Sequence, residues 1–217
     1  MMLKAEKTEM LPLFPTFVWK TELTSEAYTP INRDIRSKIA ELMGGQIRIG
    51  SQQSFQTAQD LYRYPEFGQL IGLIQSAVSG VFDYLKIEVE NAAITGCWAN
   101  VNGVGARHRQ HTHPNNLLSG VYYVNTSSGS DKITFDDPRV QSYVIYPRFK
   151  EPTIENSAEI NITAREGTLL VFPAWLQHRV GPNESNSERI SVSFNAMVSF
   201  RASAGQAGSI TTTRVRD

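Results

Sequence analysis

The sequence predicts an all-β core with flanking helices. Three observations predict it. First, from residue 87 onward the apolar residues fall in short alternating runs, among them Ile87, Val89, Trp98, Val101, Val121, Tyr123, Ile133, Phe135, Val144, Ile160, Ile162, Leu169, Val171, Val192 and Phe194. Second, turn signals separate these runs, at Asn102-Gly103, Ser128-Gly129, Asp137-Pro138, Glu166-Gly167 and Gly181-Pro182-Asn183. Third, two stretches before residue 86 repeat their apolar residues at helical spacing instead. About eight short strands punctuated in this way fit a barrel or a sandwich.

The 217 residues are read as a single domain, 1–217. Residues 1–86 form a mainly helical support, 87–200 the β core and 201–217 a loose tail rich in Ala, Ser, Gly and Thr. The 21 basic residues balance 21 acidic ones, so no electrostatic case arises for a nucleic-acid or membrane partner. Cys97 is the only cysteine, which rules out an internal disulfide, and its place beside Trp98 predicts a small core residue. No run approaches the roughly 18 apolar residues of a spanning helix. Met1 to Lys7 lack the apolar region of a signal peptide, so the expected compartment is cytoplasmic. A homodimer is compatible with all of this.

In chain order, Thr16 to Lys20 follow two prolines and predict a short strand with Phe17 and Trp19 on one face. Thr29-Pro30 predicts a capped helix start, with Ile31, Ile35, Ile39 and Leu42 on one face and Gly44-Gly45 as the stop. Residues 46–60 are polar and read as a loop, with a lid as one use for it. Leu70, Ile74, Val78, Val81 and Phe82 predict a second amphipathic helix within Pro65 to Leu85.

Chemistry concentrates in one stretch. Three of the four histidines, His108, His111 and His113, lie between residues 108 and 113. On a strand, residues two apart point to one side, so His111 and His113 share a face. His178 opens a later strand after the break at Phe172-Pro173. Two imidazoles on one strand and a third from another make a facial set that suits zinc, iron, copper or nickel. Arg189, Ser191 and Ser193 share one face of the run Arg189 to Asn195. An arginine facing a core needs an anion, and a guanidinium binds a carboxylate through two oxygens. The sequence offers no obvious buried acid, so a ligand carboxylate is the economical answer; the alternative is a surface arginine after the polar loop Asn183 to Glu188. Arg107, Arg109, Arg139 and Arg148 admit two readings, attraction of an anionic substrate or solvated loop charge.

Taken together, Leu13-Phe14-Pro15-Thr16, Trp98-Ala99-Asn100, His111-Thr112-His113-Pro114, Leu118 to Tyr123, Asp137-Pro138-Arg139, Phe172 to His178 and Arg189 to Asn195 resemble a bacterial and phage branch of the 2-oxoglutarate and iron(II)-dependent oxygenases. The resemblance implies a double-stranded β-helix, a cupin-like jelly roll with helices outside one sheet. It implies iron(II) held by His111, His113 and His178, and 2-oxoglutarate held by Arg189, Ser191 and Tyr123. It implies a dioxygenase that consumes O2, most simply a hydroxylase, acting on a small molecule or a peptide. No catalytic residue beyond the metal ligands is implied.

The wider family carries Asp or Glu where His113 stands. His113 is favoured here as a third ligand; a two-histidine site, or His108 in place of one ligand, are the alternatives. Two rival functions remain: a three-histidine cupin-type dioxygenase without 2-oxoglutarate, and a non-enzymatic jelly-roll binding or virion module.

Overall fold

Alternation past residue 87 becomes two antiparallel sheets in the computed structural model, which describes residues 6–145 and 147–199. The strands are β1 (Trp19–Glu22), β2 (Ser54–Gln56), β3 (Asn91–Asn102), β4 (His108–His111), β5 (Leu118–Asn125), β6 (Lys132–Asp136), β7 (Glu159–Thr163), β8 (Thr168–Pro173), β9 (His178–Val180) and β10 (Arg189–Ser199). Two α-helices, α1 (Ser25–Leu42) and α2 (Gly68–Leu85), precede most of them. The larger sheet runs β1-β8-β5-β10-β3-β2 and the smaller β4-β9-β6-β7. The result is a sandwich of two sheets and not a closed barrel. The expected loose tail lies outside the described residues.

The inner strands of the larger sheet bury residues on both faces. Cys97, Ala99 and Val101 of β3, Tyr122 and Val124 of β5, and Ile190, Val192 and Phe194 of β10 pack with Ile35 and Ile39 of α1 and with Leu70, Ile74 and Val78 of α2. Val121, Tyr123, Leu170 and Phe172 point the other way and meet Ile133 and Phe135 of the smaller sheet. Such period-2 alternation is what a strand between two layers requires. Cys97 is a core residue, as its sequence context predicts, and burial pushes its thiol up to about 12. Gly120 makes room for the Phe194 ring opposite it, since a Cβ there would lie 2.2 Å from that ring and 2.4 Å from the Leu170 carbonyl oxygen.

Three local expectations are revised. α1 begins one turn early, with Thr24 at its N-cap and Glu26 in the first turn, so Pro30 lies inside it and withholds one backbone N–H. Asn32, on the sheet-facing side of α1, accepts from the Tyr122 hydroxyl (2.8 Å) and donates to the Val124 carbonyl (2.9 Å). The polar stretch 46–60 is not all loop: Ser54–Gln56 pairs with β3 as an edge strand. His113 lies past the end of β4, held by its backbone N–H to the Ala174 carbonyl (2.8 Å).

Among the described residues, no helix is long and apolar enough to cross a membrane.

Candidate functional site

The inward face of the larger sheet changes character at β3 and β10. Trp98, Asn100 and Asn102 on β3 lie beside Arg189, Ser191 and Ser193 on β10, in register. With Tyr123 and all four histidines they line one cavity of about 220 Å³ between the sheets. Polar side chains there are the exception to a dry interior, and their convergence makes this cavity the candidate ligand site.

One end of the cavity holds a histidine cluster. One ring nitrogen from each of His111, His113 and His178 lies within 4.8 Å of the others. Backbone carbonyls set the tautomer of two of them. His111 Nδ1 is 2.7 Å from the Arg109 carbonyl oxygen, and His178 Nδ1 is 2.9 Å from that of Leu176. A carbonyl only accepts, so both Nδ1 atoms carry the proton and both Nε2 atoms present a lone pair. Such carbonyl anchoring of the distal ring nitrogen is the support a metal-ligating histidine needs. His178 Nε2 lies 3.4 Å from His113 Nε2, a spacing that a shared cation would relieve. Burial, and then the neighbouring imidazoles, lower His113 to about 4. Burial likewise lowers His178 to about 4, against the bond to Leu176, which raises it. Both rings are therefore neutral, as ligation demands, near pH 7. The donor set fits a divalent transition metal.

The strand logic that predicts His111 and His113 on one face reaches the right result by another route. β4 ends at His111, and His113 turns back toward the cluster from the loop. Sequence parity also misplaces His108. Three residues from His111, it belongs on the opposite face of a regular strand. A bulge between them restores parity: His108 pairs with Val180 and His111 with His178, so three steps on β4 oppose two on β9. His108 thus lines the cavity, outside the three-histidine cluster.

The other end holds Arg189, 3% exposed. Its Nη2 donates to Asn102 Oδ1 at 3.2 Å. Among the described residues no carboxylate lies within ion-pair distance of it. Burial lowers its proton affinity, the signature of a cation short of compensation. Ser191 and Tyr123, paired across β10 and β5, flank it, and burial raises the Tyr123 phenol. Tyr123 therefore remains a hydroxyl able to donate. The site residues named from sequence are thus together in one cavity. Arg107, Arg109, Arg139 and Arg148 do not line it, and Arg139 pairs with Asp137 at 2.9 Å.

Asn102, Asn100 and Trp98 escaped the sequence reading as site residues, and His108 entered it only as an alternative metal ligand. The first three carried a signal, since polar or aromatic side chains alternate there with Cys97, Ala99 and Val101.

Residues 96–195 match a family model described as "Putative 2OG-Fe(II) oxygenase", which agrees with the resemblance carried by the motifs. No curated protein sequence matches the chain significantly. The fold is similar to that of a Pseudomonas putida prolyl-4-hydroxylase (TM-score 0.56, 14% identity, 83% of this chain and 92% of that one). It is similar to HygX from Streptomyces hygroscopicus, solved with nickel and 2-oxoglutarate bound (TM-score 0.59, 11% identity, 85% and 84% covered). It is also similar to SnoK, a non-heme alpha-ketoglutarate-dependent carbocyclase from nogalamycin biosynthesis (TM-score 0.59, 14% identity, 84% and 80% covered). At such identities the likeness establishes the fold, the double-stranded β-helix expected from the motifs.

Proposed function

We propose that this protein is an iron(II)- and 2-oxoglutarate-dependent oxygenase, and within that class a hydroxylase of a small molecule or a peptide. One observation carries the reading: a buried Arg189 with no carboxylate partner among the described residues shares a cavity with a three-histidine cluster. A 2-oxo dicarboxylic acid answers both ends. Its keto acid suits a metal at His111, His113 and His178, and its far carboxylate suits Arg189. The family match, and the metal and 2-oxoglutarate held by HygX, support the same assignment.

Iron(II) and 2-oxoglutarate, when bound, supply oxidative decarboxylation: 2-oxoglutarate, O2 and substrate C–H become succinate, carbon dioxide and C–OH. The protein's residues do the positioning. His111 and His178 are held by the Arg109 and Leu176 carbonyls, so their lone pairs are aimed before metal arrives. Arg189 supplies two parallel donors to the carboxylate, and Ser191 and Tyr123 can add hydroxyl hydrogen bonds beside it. Phe172 and Phe135 press on the His178 ring at centroid distances of 4.8 and 5.9 Å and keep bulk water from that side.

The test is succinate formation from 2-oxoglutarate by the iron-loaded protein. Loss with His178→Ala, and a raised 2-oxoglutarate requirement with Arg189→Ala, are expected. His113 in place of a carboxylate favours one rival, a three-histidine dioxygenase that uses no 2-oxoglutarate. That rival predicts no succinate and an Arg189→Ala variant as active as wild type.

A further inference from the structure

Asn102 occupies the position a salt-bridge acid would take. It is fully buried and is the register partner of Arg189 across β3 and β10. A guanidinium only donates, so the Asn102 atom facing Arg189 Nη2 at 3.2 Å is the amide oxygen. The amide nitrogen has two hydrogens. One reaches Ser54 Oγ at 2.7 Å, and His108 Nε2 lies 2.9 Å from the same nitrogen. His108 Nε2 also lies 3.1 Å from Asn102 Oδ1. Asn183 Nδ2 donates to the Asn102 backbone carbonyl at 3.1 Å. The side-chain amide is therefore held from β2 and the bulged β4, and the Asn102 main chain from the loop before β10.

We propose that Asn102, locked by Ser54 and His108, is the positioning residue that aims Arg189 at the carboxylate of 2-oxoglutarate without neutralising it. This rests on Arg189 being the carboxylate anchor. An aspartate of the same shape would accept the same bond and also cancel the guanidinium charge inside the cavity. The dicarboxylate would then meet a filled ion pair. A neutral acceptor fixes direction and leaves the charge for the ligand. The inward turn of His108 at the β4 bulge gains a purpose in the same network, since its ring nitrogen contacts the Asn102 amide.

The discriminating variant is Asn102→Asp, with Asn102→Ala and Arg189→Ala beside it. Calorimetry would measure binding of 2-oxoglutarate, and of pyruvate as a keto acid lacking the far carboxylate, to the nickel(II)-loaded protein. Asn102→Asp is expected to weaken 2-oxoglutarate by about 30-fold or more, as loss of a desolvated charge pair does. Its nickel and pyruvate affinities should stay at wild-type level. Its metal-free unfolding midpoint should be no lower than wild type, because the new acid pairs with Arg189. Asn102→Ala should lower that midpoint and weaken 2-oxoglutarate less. If Asn102→Asp binds 2-oxoglutarate as wild type does while Arg189→Ala does not, Asn102 has no positioning role and the oxygenase reading stands. If wild type fails to bind 2-oxoglutarate, or Arg189→Ala binds it normally, the anchor itself is wrong and this assignment falls with it.

Discussion

The two faces of strand β10 are a controlled comparison inside one chain. Ile190, Val192 and Phe194 face the helices and are at most 1% exposed. Arg189, Ser191 and Ser193 share the backbone and face the cavity. β3 repeats the division, with Cys97, Ala99 and Val101 against Trp98, Asn100 and Asn102. One face contributes stability through apolar burial. The other carries hydroxyls, amides and one cation, turned toward the cavity. Sheet pairing serves both faces, so stability and binding are separable by substituting neighbouring residues.

The largest effect should come from the helix-facing side. Phe194→Ala is expected to lower the free energy of unfolding by about 3–5 kcal/mol, as large-to-small changes in a packed core do. Urea denaturation would measure it. Gly120→Ala should act in the same direction, because its methyl meets the Phe194 ring and the Leu170 carbonyl. If either variant keeps wild-type stability, the division between faces breaks.

Acid tests the cavity side. His108, His113 and His178 are each lowered by burial to about 4 from an ordinary 6.5. The unfolded chain therefore binds more protons between these values, and unfolding is favoured as protons are added. Stability of the metal-free protein should be level above pH 6.5 and fall as pH drops toward 4. Urea midpoints measured across that window check it, and a midpoint rising on acidification would contradict the buried neutral histidines.

The smallest effect sharpens the comparison. Ser193 Oγ accepts one bond from Asn100 Nδ2 at 3.1 Å. Its loss in Ser193→Ala should change stability by no more than about 1 kcal/mol. A change as large as that of Phe194→Ala would show that the cavity face also carries the fold.

The sequence makes this division legible unevenly. Strict alternation places the residues of β3 and β10 on their faces, and the Phe172-Pro173 break places His178 at a strand start. Arg189 is legible as a cavity-facing cation because it shares a strand face with Ser191 and Ser193. Parity fails at His108, since the bulge opposite Val180 and His178 arises from pairing with a strand some 70 residues away. The role of 54–56 is hidden for a similar reason. Ser54 and Gln56 have the polarity of a loop, and only β3 makes them a strand. The early start of α1 rests on tertiary support: the Asn32–Tyr122 contact fixes the helix on the sheet despite Pro30.

The most direct measurement is visible absorption of the protein with iron(II) and 2-oxoglutarate under strict exclusion of oxygen. A chelated keto acid on iron(II) gives a weak charge-transfer band. The account predicts that band in wild type, its loss in His178→Ala and His111→Ala, and a higher 2-oxoglutarate concentration to reach it in Arg189→Ala. A folded, iron-loaded wild type with no such band would contradict the assignment of the cavity to 2-oxoglutarate.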